Sequence, residues 1–587
     1  MAHSRLQKLA AYLRPYWQKA SLGILALLIV NGLGIYIPLL IRNAIDKLKF
    51  TVESHSVDSL QPILPYVLLV LVLTTIMWAI RVASRMLLFG VGRQVEFDLK
   101  QKIFQHILTL EPSYFSEKTT GDLINRATSD VDNIRRLLGF AVLSLTNTIF
   151  AYGLTLPVMM TIHLRLSLLA ISVYPLMLIL VQLFADSLRN QQMRVQQELS
   201  EISELIQEDM SGIALIKIYA QEENERRAFR EANEQLLAAN LNLARTRTLL
   251  FPILAGLASV SLLVLLTFGA RAIQTGELTV GNFIALILYV ERLVFPTALL
   301  GFTITAYQRG EVSIARIESI LSVKPKIRDS IGAVQFSAPV AGCLTARSLT
   351  YTYPGADKPA LDGISFEILP GETVAIVGPI GSGKSTLASA IPRLLDIKPG
   401  QLFLDGYDIT ELKLHELRAA IACVPQDSFL FSTTIENNLR YGKPFCERSE
   451  VEYVAKQAQI HSEILNFPQQ YETLVGERGI TLSGGQRQRS ALARALLIDA
   501  PVLVLDDALS SVDNQTATEI LKNLSTSTKR KTIIFITHHL SAAATADRIF
   551  VMDKGRIVQM GTHAELIQQE GLYKTLWEQQ KLEALLQ

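Results

Sequence analysis

Apolar residues run with little charge through residues 22–41, 65–88, 140–162, 164–184, 250–270 and 280–306. Each stretch reaches, or nearly reaches, the roughly 20 residues that an α-helix needs to cross a bilayer core. The first half of the chain therefore predicts six membrane spans; soluble buried helices of this length would carry charged faces between them. Residues 90–138 and 185–249 follow a different pattern. In the second of these, Val195, Leu199, Ile202, Leu205 and Ile206 recur at helical spacing among Glu, Gln and Arg, as in an amphipathic helix. Helices two to five are thus expected to continue well beyond the membrane. They turn at residues 111–121, where Pro, Ser and Gly collect, and around Ser211 and Gly212. After Ala306 the pattern becomes polar, residues 324–341 read as a linker, and from Gly342 strands alternate with helices as in an α/β domain.

Charge placement orients the first half. Arg93, Lys100, Arg135, Arg136, Arg189, Arg226 and Arg247 lie in the two long connections, whereas those near His163 and Gln274 are very short. By the positive-inside rule both termini and the long connections are cytoplasmic. Residues 1–20 carry Arg5, Lys8, Arg14 and Lys19 between Leu6, Leu9, Leu13 and Trp17, the pattern of an amphipathic interfacial helix. A cleavable signal peptide fits less well, because the apolar run that follows is long and lacks a convincing cleavage site. Arg81 and Arg85 share a helix face near the cytoplasmic end, where long side chains snorkel. Glu291 and Arg292 fall mid-span, where charge is expensive. They line a pathway or bridge helices, or else form a structural pair that closes the bundle.

Composition narrows the class further. At 587 residues the chain exceeds a single core, and two or three domains are expected. A net charge of +2 argues against a nucleic-acid partner held by bulk electrostatics. Hydrophobic residues at 49% against charged residues at 19% are unusual for a soluble protein, and the excess sits in the first half. Cys343, Cys423 and Cys446 fit no metal spacing and read as reduced thiols.

The chemistry centres on residues 374–386, V-A-I-V-G-P-I-G-S-G-K-S-T. The apolar run gives way to Gly378, Pro379, Ile380, Gly381, Ser382, Gly383, Lys384, Ser385 and Thr386, filling the G-x-x-x-x-G-K-[ST] phosphate loop. Glycines let successive backbone N–H groups wrap phosphate oxygens, and the following helix points its positive end at them. Lys384 reaches the β- and γ-phosphates, and the Ser385 hydroxyl takes a Mg²⁺ position. Five elements accompany the loop. Tyr353, in Y-T-Y-P-G, is placed to stack on a base, or is an ordinary strand residue. Gln426, in V-P-Q-D, follows a strand, where its amide can touch Mg²⁺ or the attacking water. Ser483, Gly484, Gly485 and Gln486, in L-S-G-G-Q, open a helix that continues R-Q-R. Asp506 ends the buried strand V-L-V-L-D, a suitable Mg²⁺ holder, and His538 follows another strand. A soluble GTPase or helicase shares the phosphate loop and the Asp-terminated strand, but not L-S-G-G-Q.

With these residues the chain resembles the ATP-binding cassette family, and over its whole length the bacterial exporter half-transporters of the multidrug and lipid-flippase kind. In the first half, Y-F-S-E-K-T-T-G-D-L-I-N-R (114–126) and A-L-I-K-I-Y-A-Q-E (214–222) are similar to that family's coupling regions. The resemblance implies a polytopic α-helical membrane domain of six transmembrane helices with long cytoplasmic extensions, fused to an α/β P-loop nucleotide-binding domain. It implies ATP and Mg²⁺ as ligands. It also implies a dimer in which the signature Ser483–Gln486 closes on ATP held by the partner's phosphate loop, residues 511–513 link the two sites, and His538 contacts the γ-phosphate. Expected boundaries are 1–325 for the membrane domain, 326–341 for the linker and 342–587 for the nucleotide-binding domain, with the protein in the plasma (inner) membrane.

One position departs from the family pattern. Glu normally follows the Mg²⁺-binding Asp and polarises the attacking water; here Asp507 stands there. Intrinsic basicity barely changes, since Asp and Glu titrate near roughly 3.9 and 4.3. Reach changes by one methylene, and a general base acts only within about 2.6–3.2 Å. The catalytic set is therefore Asp507, His538 and Gln426, with a heterodimer favoured over a homodimer because family members with this substitution are often the weak half. Expected partners are a second half-transporter, the lipid bilayer and a hydrophobic or amphipathic drug or lipid, with no nucleic acid. A regulatory half that binds ATP and gates its partner is the alternative; an importer is disfavoured by the fused layout.

Overall fold

The structure, a computed structural model, describes residues 11–53, 63–330, 332–476, 479–525 and 530–586. It divides into two compact units. The first holds Met1–Leu108 and Thr119–Val323; the second holds Thr109–Lys118 and Lys324–Gln587. Half of the amphipathic stripe expected over residues 1–20 lies outside the described residues. Of its described part, Tyr12, Leu13 and Tyr16 pack against the bundle core while Trp17 is exposed.

Six helices in the first unit are long and apolar enough to cross a membrane. They are α1 (Ala11–Leu48), α2 (Leu64–Ile107), α3 (Thr120–Ile162), α4 (Leu164–Ser211), α5 (Glu222–Gln274) and α6 (Val280–Leu321). Helices of 43–53 residues, as in α2 to α5, measure roughly 65–80 Å at 1.5 Å per residue, against about 30 Å of hydrocarbon. Each therefore extends well past its apolar segment. α6 also continues, from the last apolar residues to Leu321, although its polar composition after Ala306 gave no sign of this. The breaks fall at the short helix Pro112–Glu117 and at Gly212 with the short helix Ile213–Ile218.

Side chains reaching into the backbone of a neighbouring helix fasten the bundle. Ser84 Oγ donates to Gly23 O at 2.9 Å, Tyr174 OH to Val290 O at 2.6 Å, Ser261 Oγ to Ala170 O at 2.7 Å and Tyr289 OH to Ile35 O at 2.7 Å. Such bonds suit a medium that drives no hydrophobic association between helices. The structure separates Glu291 from Arg292. Glu291 is exposed, and among the described residues it forms no ion pair. Arg292 Nη2 donates to Asn31 Oδ1 at 3.0 Å and to Asn31 O at 3.2 Å, and Asn31 Nδ2 donates to Asn147 Oδ1 at 3.1 Å. The two residues are therefore not a pair; Arg292 ties α6 to α1, and Asn31 carries the tie to α3. The guanidinium keeps this place only over a glycine: a Cβ at Gly34 would stand 1.3 Å from Nη1 and displace it.

The second unit contains two sheets. One is antiparallel, in the order β2 (Leu361–Ile368), β1 (Leu344–Tyr351), β4 (Leu402–Leu404) and β5 (Tyr407–Asp408). The other runs β10 (Arg556–Gly561), β9 (Arg548–Asp553), β3 (Thr373–Val377), β8 (Thr532–Ile536), β7 (Val502–Asp506) and β6 (Ile421–Val424). Its strands pair in parallel except β10, which returns beside β9. β7 and β8 are buried at every residue, as expected for parallel strands covered on both faces.

Gly34→Ala is expected to swing Arg292 off Asn31 and lower the thermal stability of the detergent-solubilised protein by about 0.6–2 kcal/mol, the range for interhelical bonds in membranes. In an Arg292→Leu background the same change should cost nothing further, a coupling that a double-mutant cycle reads directly.

Candidate functional site

β3 is apolar and β-branched, and its last pair with β8 is Ile376 with Ile536. The chain then turns through residues 378–383 into the helix α7 (Lys384–Ala390). The turn needs its glycines. Gly378 has φ 150° and Gly383 φ 97°, and a Cβ would meet Met552 O at 2.1 Å or Ala360 O at 2.4 Å respectively. Gly555 N donates to Ser382 O at 3.0 Å and fixes the loop to the β9–β10 turn. Within this cradle Ser382 is buried and Ile380 points outward, almost fully exposed.

Lys384 is buried, and its ammonium donates to Gly378 O and Pro379 O, each at 2.8 Å, and to Ser382 Oγ at 3.2 Å. Burial pulls its pKa below the ordinary lysine value, and the nearby Asp507 and Asp506 partly oppose that. Next to it, Ser385 Oγ donates to Asp506 Oδ1 at 3.0 Å. Burial raises the Asp506 carboxyl above its usual range; the Ser385 hydrogen bond and the fields of Lys384 and His538 work against the shift. A hydroxyl and one carboxylate side by side, facing a phosphate cradle, fit Mg²⁺, which characteristically takes one or two protein carboxylates and completes its shell with phosphate oxygens and water. Tyr353 is 42% exposed, and its hydroxyl lies 3.3 Å from Thr386 Oγ1. Its ring and that of Tyr351 pack at right angles, with centroids 5.1 Å apart.

Asp507 adopts a left-handed φ of 50° immediately after the strand, a region that Asp tolerates better than most residues. Its N–H donates to Ile536 O at 3.1 Å. Its Oδ1 is buried and has no hydrogen-bond partner among the described residues. Gln426 and His538, at the ends of β6 and β8, are both exposed. Burial moves the thiol of Cys423, on β6, up to about 12.

The signature residues form a separate group. Ser483 caps the helix α8 (Gly484–Leu497): its Oγ accepts from Gln486 N at 3.2 Å, while Gln486 Oε1 accepts from Ser483 N at 2.9 Å. Gln486 Nε2 also donates to Glu463 Oε2 at 2.9 Å, and Arg489 Nη1 pairs with Glu463 Oε1 at 2.7 Å. Gln488 bridges α8 to the turn after Asp507: its Nε2 donates to Ser510 Oγ at 2.9 Å and its Oε1 accepts from Ser511 N at 2.8 Å. A Cβ at Gly485 would meet Ser511 O at 2.8 Å, so the glycine permits this approach. Among the described residues, Ser483 to Gln486 form no hydrogen bond with residues 378–386. The chain thus gathers Lys384, Ser385, Thr386, Tyr353, Asp506 and Asp507 into one place and presents the signature elsewhere. Glu463 and Gln488 escaped the sequence reading. Glu463 lies 23 residues before its partner Gln486, with no local pattern to connect them.

Comparison with known proteins matches this geometry. Residues 21–297 match the ABC transporter transmembrane region and residues 361–510 the ABC transporter domain. The chain is 33% identical to a probable multidrug resistance ABC transporter ATP-binding/permease protein, YheI, of Bacillus subtilis, over 99% of this chain and 98% of that one. It is 33% identical to the multidrug resistance-like ATP-binding protein MdlA of Escherichia coli, over 99% and 97%. To an ATP-dependent lipid A-core flippase of Syntrophus aciditrophicus it is 31% identical, over 97% and 93%. A bacterial Atm1-family ABC exporter solved with ATP bound superposes with a TM-score of 0.77 at 26% identity, over 96% of this chain and 99% of that one.

The carboxyl of Glu463 is pushed up by burial, but hydrogen bonds from Arg489 and Gln486 outweigh that and hold it below the ordinary value. A depressed carboxylate contributes its tie above the unfolded pKa and loses it as pH falls through the folded value, so at neutral pH the tie is fully present. Glu463→Ala is expected to lower ATPase turnover severalfold while fluorescent-nucleotide affinity stays within twofold.

A phosphate cradle, a hydroxyl–carboxylate pair and a capped L-S-G-G-Q helix share one chain with six membrane-length helices, and full-length relatives carry the same layout; the chain belongs to the ABC transporters, as an ATP-hydrolysing, multi-pass half-transporter of the exporter type.

Proposed function

We propose that this half-transporter works as one side of a dimer that exports a hydrophobic or amphipathic substrate, a drug or a lipid, across the plasma membrane. The observation that carries the reading is the convergence of Lys384, Ser385 and Asp506 in one cradle. In this reading residues 378–386 hold the phosphates of ATP, Tyr353 supports the base, and Ser385, Asp506 and Gln426 hold Mg²⁺. The ion, when bound, neutralises charge on the β- and γ-phosphates. Asp507 accepts the proton of the attacking water, and His538 contacts the γ-phosphate. Ser483 to Gln486, which among the described residues form no hydrogen bond with this chain's own cradle, serve the nucleotide of the partner. Both termini and the nucleotide-binding domain face the cytoplasm, as the basic residues of the long connections favour. Residues 1–325, 326–341 and 342–587 act as membrane domain, linker and engine, and the breaks at Pro112–Glu117 and Ile213–Ile218 transmit force between them. The inclusion of Thr109–Lys118 in the second compact unit supports that role for the first break, as does the bond from Lys326 N to Glu111 Oε2 at 3.3 Å. A drug or lipid cargo follows the names of the relatives, multidrug transporters and a lipid A-core flippase.

Lys384→Ala removes the charge that faces the phosphates. Nucleotide binding at this half should fall below detection in a fluorescent-analogue titration, and wild-type affinity in that variant would refute the assignment.

Asp507 favours a second reading, in which this chain is the slower, regulatory half of a heterodimer whose fast site borrows its intact signature. Asp507→Asn should then lower overall ATPase less than twofold in the assembled exporter, and Asp507→Glu should raise turnover at this chain's own site. Loss of a working general base typically costs about 10²–10⁴-fold. A loss of that size in a purified homodimer of Asp507→Asn would make Asp507 the base and remove the motive for a heterodimer.

A further inference from the structure

We infer that Gln580, on the C-terminal helix α9 (Leu572–Leu586), is a positioning residue that holds the His538 backbone in place for the γ-phosphate. This rests on the role proposed for His538. The segment after β8 leaves the sheet at Thr537, whose N–H donates to Ile376 O at 3.3 Å. His538 follows, exposed, and the short helix Leu540–Ala543 begins two residues later. The Gln580 amide grips both sides of this corner. Its Nε2 donates to His538 O at 3.2 Å, and its Oε1 accepts from Leu540 N at 2.7 Å. One primary amide thus satisfies a carbonyl and an N–H two residues apart, a use of its donor and acceptor together that few side chains can reproduce.

The clamp has a firm base. Tyr573 is fully buried, and Leu572, Leu576 and Trp577 pack against the same core as Leu540 and Ala543. Tyr573 N donates to Gln559 Oε1 at 3.0 Å, and the Tyr573 hydroxyl bonds His563 Nδ1 at 2.7 Å. His563 in turn lies edge-on to Trp577 at 4.6 Å. β10, the helix His563–Gln568 and α9 therefore form one braced block, with Gln580 meeting the His538 corner. Among the described residues His538 forms no other hydrogen bond: its side chain is exposed, and its neighbour His539 bonds locally, from its N–H to Thr537 Oγ1 at 3.0 Å. Without Gln580 the corner keeps its sequence but loses the bond that sets the direction of the His538 carbonyl, and with it the aim of the imidazole.

The test separates positioning from simple stability and requires no turnover. Affinities of the full-length protein for ADP and for a non-hydrolysable ATP analogue are measured by displacement of a fluorescent nucleotide, and their ratio reports the γ-phosphate contact. His538→Ala should reduce the preference for the ATP analogue by about tenfold. Gln580→Met, similar in size but unable to hydrogen-bond, should reduce it by about threefold or more, with ADP affinity and melting temperature unchanged. Gln580→Glu, which keeps the acceptor but turns a carboxylate on the His538 carbonyl, should do the same. In a His538→Ala background neither change at Gln580 should have any effect. A wild-type ratio in both Gln580 variants, or an equal loss with and without His538, would overturn the inference. An unchanged ratio in His538→Ala would overturn the role of His538 itself, and the inference with it.

Discussion

In-register parallel pairing of β3, β8, β7 and β6 is the constraint on which the catalytic half depends. Ile376 stands opposite Ile536, Asp506 opposite Ile536 and Val424 opposite Leu505, so the strands finish along one edge. The phosphate loop, His538, Asp507 and Gln426 each follow within a few residues of those last pairs. None carries the information to find the others; the ladder places them. A slip of one residue in β7 would turn Asp506 to the opposite face of the sheet, since side chains alternate along a strand. Fully buried, β-branched strands make such a slip costly, because every apolar contact would be lost together. The arrangement follows the general rule that open α/β sheets gather ligands beyond the carboxyl ends of their strands.

The membrane half answers a different constraint. Hydrocarbon offers the backbone no hydrogen-bond partner, so helices are the economical solution, and their mutual affinity must come from close packing and a few polar contacts. Close packing is visible where glycine is required. At Gly281, a Cβ would lie 2.5 Å from Arg42 O, and Asp46 Oδ1 accepts from the Gly281 N–H at 2.9 Å. The polar contacts include Arg292, whose charge, among the described residues, is met by the neutral oxygens of Asn31 and not by a carboxylate. A neutral partner leaves the arginine less tightly bound than an ion pair would, and a tie of that kind between α1 and α6 is easier to break when helices move.

Within the second unit, the signature helix and the turn after Asp507 are joined through Gln488 and the Gly485–Ser511 approach. The turn that follows Asp507 and the helix that Ser483 caps are therefore mechanically continuous. Asp507, at a left-handed φ, is thus joined to the helix that Ser483 caps by covalent chain and two side-chain hydrogen bonds of Gln488.

The sequence by itself determined the class of fold and the chemistry of the cradle, because those signals are local. Twenty apolar residues in a row have one stable form in a bilayer, and G-x-x-x-x-G-K-S demands a strand–loop–helix turn whose glycines occupy φ values closed to other residues. Helix extension past the apolar runs of α2 to α5 was legible for the same reason, as periodicity. For α6 the polar composition after Ala306 masked the same signal: Ile314, Ile317 and Ile320 recur at helical spacing and are buried in the structure. Only the tertiary structure decided that Glu291 and Arg292 part company, because a helix sets neighbours about 100° apart and α1 approaches one side alone. It also decided that Glu463 braces Gln486 and that Gln580 grips the His538 corner. These contacts join residues 23 and 42 positions apart, separations at which local sequence carries no register, so they arise only when the elements pack.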